Sequence, residues 1–251
     1  MTTSMTTATP LLDVTGLAKT FGGLRAVDAL SFSVTAGDTI GLIGPNGSGK
    51  TTVLNLLTGA FPSDSGRVQF DGRELAGCAA HTICRAGIAR TFQLVRPLKG
   101  MSVTDNVLVG RIYGAAAQPI AAARAKVAEL IALVGLEGRD AMPVDALTYI
   151  DQKRVELARA LAAEPKLLLL DEWLAGLNPT ELEAGIALVR SLKGRGMTII
   201  LVEHVMHAVR SLCDRCIVLS TGRQIAEGPP DRVLADPEVK RAYLGEEAAD
   251  A

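Results

Sequence analysis

The chain has 251 residues, of which 48% are hydrophobic, and a formal net charge of −1 at pH 7; it can bury a sizeable core but lacks the basic excess typical of a nucleic-acid-binding protein. No apolar run reaches the roughly 18 to 20 residues that span a bilayer, and the threonine-rich start, residues 1–9, lacks the charged and apolar regions of a signal peptide. We therefore expect a cytoplasmic protein without a nucleic-acid partner, whose role at a membrane depends on other proteins.

Apolar runs and turn residues predict an alternation of strands and helices along the chain. The predicted strands are 11–14, 30–34, 39–43, 66–70, 166–170, 197–202 and 216–219. The predicted helices are 53–58, 122–134, 152–161 and 179–192. Apolar residues at helical spacing over 79–163 predict a helical subdomain, inserted into an α/β core formed by 11–78 and 164–251 within one domain, 1–251. The continuous apolar strands favour a parallel sheet covered on both faces.

A glycine-rich loop separates the predicted strand 39–43 from the predicted helix 53–58. Its residues are Gly44, Pro45, Asn46, Gly47, Ser48, Gly49, Lys50, Thr51 and Thr52. Glycines allow the backbone to aim several N–H groups at one anion, and the helix that follows adds its positive N-terminal end. The spacing is that of a phosphate-binding P-loop, in which Lys50 reaches the β- and γ-phosphates and Thr51 holds Mg²⁺. We therefore expect a nucleoside triphosphate ligand; the alternative is a glycine-rich turn without a ligand.

Two later strands end in polar residues. Asp171 and Glu172 follow the strand 166–170, and His204 follows the strand 197–202 after one residue. Because a parallel sheet binds ligands at the carboxyl ends of its strands, Asp171 is expected to support Mg²⁺ and Glu172 to act as general base on the attacking water. The alternatives are a solvated acidic turn at Asp171 and Glu172 and a structural role for His204.

The four cysteines, Cys78, Cys84, Cys213 and Cys216, are too few for a disulfide framework. Cys213 and Cys216 have a metal or redox spacing, but no second Cys or His pair accompanies them. We therefore expect buried or half-buried thiols without chemistry.

The order of these motifs resembles that of the ATP-binding subunit of an ABC transporter. The P-loop comes first, Gln93 follows in the segment 90–93, and Asp171, Glu172 and His204 come after the helical insert. The resemblance covers almost the whole chain. It implies an α/β fold of the P-loop NTPase (RecA-like) type, with a parallel-sheet core, an antiparallel β region and an inserted helical subdomain. It also implies an ATPase that uses ATP and Mg²⁺ and couples hydrolysis to transmembrane transport.

Within that family, the segments 20–27, 90–93, 175–179 and 241–245 are similar to the branch that imports branched-chain amino acids. This likeness implies transmembrane permease subunits, a second ATPase subunit in a head-to-tail dimer and, indirectly, a periplasmic or extracellular solute-binding protein. The chain would then lie peripherally at the cytoplasmic face of the cell membrane. The solute would be selected by those partners.

By position, the resemblance implies roles for residues whose local sequence alone says little. Phe21 would stack on adenine, Gln93 would link Mg²⁺ to the membrane subunit, and His204 would contact the γ-phosphate. The segment 175–178 would lie at the dimer seam.

The family's signature loop, a Leu-Ser-Gly-Gly-Gln sequence that reaches the partner's ATP, departs from its pattern here. The corresponding residues are Leu147, Thr148, Tyr149, Ile150, Asp151 and Gln152. Ile150 restricts the backbone where glycine is usual, and Asp151 places a negative charge near an anion. One interpretation is a weakened contribution to the partner's site and hence a non-identical second ATPase subunit; the other is a working variant that uses Thr148 and the helix N-terminus. Trp173, which stands where proline is usual, is predicted to serve packing.

Two other classes of protein remain open at this point. A soluble ABC-type ATPase of translation or DNA repair usually has two cassettes or a long coiled-coil insert, and the sequence shows neither. A different P-loop enzyme, such as a kinase or a GTPase, is disfavoured by the signature-like helix and by His204.

Overall fold

The structure is a computed structural model that describes residues 9–115 and 119–244. Its strands are β1 (Leu12–Phe21), β2 (Leu24–Val34), β3 (Thr39–Ile43), β4 (Ser65–Phe70), β5 (Arg73–Glu74), β6 (Ile88–Arg90), β7 (Leu167–Asp171), β8 (Thr198–Val202), β9 (Arg215–Ser220) and β10 (Arg223–Gly228). Its helices are α1 (Lys50–Leu57), α2 (Ala80–Ala86), α3 (Val103–Tyr113), α4 (Ile120–Leu133), α5 (Tyr149–Ala162), α6 (Pro179–Gly194), α7 (Met206–Leu212), α8 (Pro230–Ala235) and α9 (Pro237–Leu244). Residues 1–8 of the threonine-rich start and Gly245 of the segment 241–245 lie outside the described residues. Within the described ranges, no helix combines the length and apolar character needed to cross a membrane.

The strands form two sheets. One is antiparallel, with the order β2-β1-β4-β5, and the larger has the order β10-β9-β3-β8-β7-β6. In the larger sheet the neighbours from β9 to β6 run parallel, and β10 pairs antiparallel with β9. The predicted α/β fold, with a parallel core and an antiparallel β region, is confirmed.

Alternate residues of the parallel strands face two different cores, which explains why these strands are continuously apolar. In β7, Leu167 and Leu169 face the cluster between the two sheets, where α1 also packs. Leu168 and Leu170 face the cluster that the helices α3 to α7 cover. All four leucines are 0% exposed, and burial of each stabilises the fold by roughly 2 kcal/mol. The strand that ends in Asp171 is therefore held firmly from both sides.

The segment 79–163, predicted as a helical subdomain, contains the short strand β6 as well as helices. Strand β6 pairs in parallel with β7, from Ile88 beside Leu167 to Arg90 beside Leu169, so residues 88–90 belong to the core sheet. A strand of three residues is too short to show a period-two pattern, and the helical spacing around it dominates the sequence signal. Helices α3, α4 and α5 pack on one another, and the bounds 79–163 of the helical subdomain stay a prediction.

The cysteines are buried or half-buried, as the sequence predicts. Cys213 and Cys216 are buried, and Cys78 and Cys84 are half-buried. A Cβ atom added to Gly41 of β3 would lie 2.9 Å from the Cys216 sulfur. The thiols of Cys213 and Cys216 therefore fill core space beside β3.

The carboxyl ends of β3, β6, β7 and β8 meet at one edge of the larger sheet, because these strands are parallel neighbours. The glycine-rich loop follows β3, and the segment that carries Gln93 follows β6. Glu172 follows β7, and His204 follows β8. This edge is the place where open parallel sheets bind their ligands.

Candidate active site

The loop 44–49 joins the buried strand β3 to helix α1. Gly44 has a φ of 148° and Gly49 a φ of 103°, values that residues with a side chain rarely adopt. A Cβ atom on Gly44 would lie 2.1 Å from the carbonyl oxygen of Leu219, and one on Gly49 would lie 2.3 Å from that of Ala26. Both positions require glycine, since the loop is pressed against the backbones of β9 and β2.

Lys50 opens helix α1, and its side chain is buried under the loop, with 6% exposed. Its ammonium donates hydrogen bonds to the carbonyl oxygens of Gly44 and Pro45, both at 2.8 Å. Burial lowers the pKa of Lys50, and the nearby Glu172 and Asp171 act in the opposite direction. An anion bound in the loop would offset the cost of burying this cation, which favours a phosphate ligand.

A cavity of about 520 Å³ lies in front of the loop and has the size of a small-ligand site. Its lining includes the predicted residues Asn46, Gly47, Gly49, Lys50, Thr51, Thr52, Gln93 and Glu172. The predicted Gly44, Pro45 and Ser48 belong to the loop but are not among the lining residues. Leu24, Arg25, Ala26 and Thr221 also line the cavity, and the sequence analysis missed all four. They lie in or beside two hairpins that only the fold brings to the loop.

Phe21 ends β1 at the first of these hairpins. Its ring meets that of Phe61 edge-on, with 5.6 Å between the ring centroids. Phe21 is 41% exposed and is not among the residues that line the cavity. Its role in stacking on adenine stays a prediction.

Asp171 ends β7 with only 1% of its surface exposed. Arg90, at the end of the neighbouring strand β6, donates one hydrogen bond to Asp171 Oδ2 at 2.5 Å and another to Asn55 Oδ1 at 2.6 Å. Among the described residues, Asp171 Oδ1 has no hydrogen-bond partner. A buried carboxylate oxygen without a partner, next to a phosphate loop, fits Mg²⁺, which takes oxygen ligands. The sequence analysis missed Arg90, although its place three residues before Gln93 was visible.

Glu172 occupies a left-handed backbone conformation, with φ of 48°, which is unusual for a residue with a side chain. Its N–H donates to the carbonyl oxygen of Val202 at 2.8 Å. Gln93 Nε2 donates to Glu172 Oε2 at 2.6 Å, and His204 Nε2 lies 2.9 Å from Glu172 Oε1. The structure thus brings Gln93, Glu172 and His204 together beside the loop, and the carboxylate is held at both oxygens.

The signature-like loop is organised around Asp151. Thr148 caps helix α5, and its hydroxyl accepts from the Asp151 N–H at 3.3 Å and donates to Asp151 Oδ2 at 2.7 Å. Arg139 also bonds Oδ2, and Arg154 donates to Oδ1 at 3.2 Å. The negative charge of Asp151 is therefore compensated within this chain, because the carboxylate is buried and paired with two arginines; its place near the partner's anion stays a prediction.

The two remaining departures from the family pattern, Ile150 and Trp173, share one cleft. This cleft of about 180 Å³ lies between the end of α4, the start of α5 and helix α6. Trp173 is 1% exposed, and a Cβ atom on Gly185 of α6 would lie 3.3 Å from its ring. The predicted packing role of Trp173 is confirmed, and Ile150 lines the same cleft.

Comparison with protein families gives two matches. The family described as "ABC transporter" matches residues 27–175, which is more than half of the chain. The family described as "Branched-chain amino acid ATP-binding cassette transporter" matches residues 223–249.

Individual relatives match along nearly the whole chain. The high-affinity branched-chain amino acid transport ATP-binding protein BraF of Pseudomonas aeruginosa is 37% identical, over 94% of this chain and 98% of its own length. The corresponding protein LivG of Escherichia coli K12 is 38% identical, over 94% of this chain and 98% of its own length. A crystal structure of the ADP conformation of an ATP-binding cassette of an ABC transporter has a TM-score of 0.85 and 33% identity, and the match covers 95% of this chain and all of that one (100%).

Proposed function

The chain belongs to the ATP-binding subunits of ABC transporters, and on that premise we propose that it hydrolyses ATP to energise the import of branched-chain amino acids or related small solutes. The solute class is supported by the names of the relatives BraF and LivG. It is also supported by the C-terminal match over 223–249. Neither the fold nor the comparisons favour a soluble ATPase of translation or DNA repair.

The observation that carries the proposal is the position of the Glu172 carboxylate. It lines the cavity in front of the P-loop and is held by Gln93 and His204. A carboxylate that is fixed at the mouth of a phosphate site can orient a water molecule and accept its proton. General-base catalysis of this kind contributes about 10²- to 10⁴-fold to a rate.

ATP is the substrate, and we assign its triphosphate to the loop 44–49 and Lys50. The Thr51 hydroxyl, the unpartnered oxygen of Asp171 and the Gln93 amide would hold Mg²⁺. When bound, that cation would neutralise negative charge on the phosphates. Backbone N–H groups and Lys50 supply fixed positive charge where charge develops during phosphoryl transfer, so positioning and electrostatics do most of the catalysis. His204, already in contact with Glu172, would contact the γ-phosphate.

Permease subunits are proposed to dock in a groove of about 400 Å³ beside the segment that carries Gln93. Ile83, Phe92 and Tyr113 give the groove an apolar lining, and Tyr113 is 65% exposed. The Arg96 guanidinium lies 4.3 Å from the centre of the Phe92 ring and adds positive charge at the rim. A cytoplasmic permease segment with an apolar face would fit here, and its movement would reach Glu172 through Gln93. The subunit would accordingly lie at the cytoplasmic face of the membrane.

The second ATPase subunit is proposed to be non-identical and to form a head-to-tail dimer with this chain. In such a dimer each signature loop completes the partner's ATP site, and Ile150 restricts the backbone where glycine permits close approach to a phosphate. A partner with glycine at that position would complete the site built on Lys50 and Glu172. One site of the dimer would then hydrolyse ATP well and the other slowly.

Uptake measurements test the proposed function. Cells without this chain should lose import of radiolabelled leucine, and the wild-type chain should restore it. Lys50→Ala should fail to restore uptake, whereas Lys126→Ala, which removes an exposed lysine on α4 paired with Glu129, should succeed. Mass spectrometry of the intact complex from native membrane should identify permease subunits and a second ATPase chain. Full leucine uptake without the chain, or a complex without permeases, would contradict the proposal.

A further inference from the structure

The turn that directly follows Glu172 is held by a buried lysine of helix α5. Lys153 is 1% exposed, and its ammonium donates to the carbonyl oxygens of Trp173 at 3.0 Å and Ala175 at 2.7 Å. The carbonyl oxygen of Glu172 lies at the limit of hydrogen-bond distance, 3.5 Å. In the reverse direction, the Trp173 indole N–H donates to the backbone carbonyl of Lys153 at 3.2 Å.

A buried carboxylate holds the same turn from the other side. Glu203, which follows β8 and directly precedes His204, is 0% exposed, and its Oε1 accepts from the Leu174 N–H at 2.7 Å. Lys153 thus binds carbonyl groups of the turn, and Glu203 binds an N–H group. Together these two side chains fix both sides of the turn 172–175.

Helix α5 also holds the segment that carries Gln93. Glu156, one turn after Lys153, is 2% exposed, and it accepts from the N–H groups of Phe92 at 3.1 Å and Arg96 at 3.2 Å. One helix therefore fixes the segments of both Gln93 and Glu172, whose side chains bond each other at 2.6 Å. The first turn of this helix is the signature-like loop capped by Thr148.

We propose that Lys153 is a positioning residue for ATP hydrolysis, which holds the turn 172–175 so that the Glu172 carboxylate faces the cavity, with Glu203 as its counterpart on the opposite side. The inference rests on the role of Glu172 in the proposed function. Because Lys153 belongs to the helix that begins at Thr148, it also connects the loop that reaches the partner's ATP with the chain's own catalytic carboxylate.

The chemistry of the position supports a specific role for the ammonium. A buried cation costs stability unless hydrogen bonds and opposite charges compensate it, and an apolar side chain of similar length would avoid that cost. Lys153 instead directs its donors to backbone oxygens of the turn that begins with Glu172 in its left-handed conformation. Without these bonds, neighbouring backbone conformations of the turn become accessible, and a displacement of about 1 Å of a catalytic group can cost about a hundredfold in rate.

Kinetics of three lysine variants of this chain, each measured in the assembled transporter, test the inference. Lys153→Met should lower kcat for ATP hydrolysis by about a hundredfold and leave KM and ATP binding within about twofold of wild type, because the P-loop is untouched. Lys153→Arg, which keeps a cationic donor, should recover at least a tenth of the wild-type kcat. The matched control is Lys193→Met. Lys193 also donates to a backbone carbonyl, that of Leu212 at 3.0 Å, but it lies at the end of α6. The kcat of Lys193→Met should therefore equal that of the wild type.

Glu203 gives a second test that remains if Lys153→Met fails to fold. Glu203→Gln keeps an oxygen for the Leu174 N–H and should retain most of kcat, whereas Glu203→Ala removes the acceptor and should lower kcat at least tenfold. Trp173, the only tryptophan in the sequence, reports on the turn directly. Its emission should shift to longer wavelength in Lys153→Met and Glu203→Ala, but not in Lys193→Met.

The outcomes separate this inference from the proposed function. Hydrolysis by wild type and its loss in Glu172→Gln support the role of Glu172, and a wild-type kcat in Lys153→Met would then overturn the inference alone. A large rise in KM with unchanged kcat would also overturn it, since that result places Lys153 in ATP binding. If the assembled transporter with the wild-type chain did not hydrolyse ATP, the proposed function would fail, and the inference would fail with it.

Discussion

Replacing Arg90 by methionine should destabilise the fold much more than removing an arginine from a surface ion pair. The side chains of Arg90 and Asp171 are 5% and 1% exposed and join at 2.5 Å. Breaking a buried pair by removing one partner costs about 3–5 kcal/mol, because the remaining charge stays buried without compensation. We therefore expect the free energy of unfolding of Arg90→Met to fall by about 3–5 kcal/mol.

Urea unfolding of the full chain at pH 7, followed by circular dichroism, measures this loss. The control is Arg67→Met, since Arg67 and Glu74 pair at 2.7 Å with 59% and 42% of their side chains exposed, and such pairs contribute about 1 kcal/mol or less. The double variant Arg90→Met with Asp171→Asn should recover much of the lost stability, because the buried charge is gone. Equal losses for Arg90→Met and Arg67→Met, or no recovery in the double variant, would refute the reasoning.

Two further predictions concern the signature-like loop and the buried Glu203. The first uses a complex that carries Glu172→Gln in this chain, so that only the partner's catalytic carboxylate is intact. In that complex Ile150→Gly should raise ATPase activity at least tenfold if one contact of about 3 kcal/mol is regained, and an unchanged rate would identify the loop as a working variant. Asp151→Gln should add no activity and should lower the melting temperature, because it breaks the pairs with Arg139 and Arg154. Burial raises the pKa of Glu203 to about 7, the charge of Glu172 acts in the same direction, and Lys153 and the N–H groups of Leu174 and His204 oppose it. Between pH 4.5 and 7 the folded chain then retains a proton that the unfolded chain releases. As pH rises through this window, the free energy of unfolding of the wild type should therefore fall by on the order of 3 kcal/mol relative to that of Glu203→Gln. Urea unfolding with the same pH dependence for the two proteins would contradict this.

The sequence predicts the part of the site that is built from residues adjacent in the chain. The P-loop is a continuous segment between a strand and a helix, and Asp171 and Glu172 directly follow an apolar run. Parallel strands bring their carboxyl ends to one edge, so the sequence predicts that Glu172 and His204 lie at the same edge of the sheet. These features need only the identity of the strands and their parallel direction.

Other features depend on pairings between distant residues that no local pattern reveals. Arg90 reaches Asp171 because the three-residue strand β6 lies beside β7, and so short a strand has no recognisable period. The charge of Asp151 is compensated by Arg139, which lies in the loop after α4, so its burial could not be foreseen from the signature sequence. In the sequence, Ile150 and Trp173 are two separate departures from the family pattern, yet the fold places them in one cleft.

The central claim, that Glu172 is the general base of an ATPase, is tested most directly by Glu172→Gln in the assembled transporter. The amide keeps the shape of the side chain and an oxygen that can accept from Gln93, but it cannot accept the proton of water. We expect ATP binding to be unchanged, the turnover of this chain's own site to fall by at least about a hundredfold, and ATP to trap a closed dimer that can be isolated by size-exclusion chromatography. Turnover at the wild-type rate, with no ATP-trapped dimer, would contradict the account.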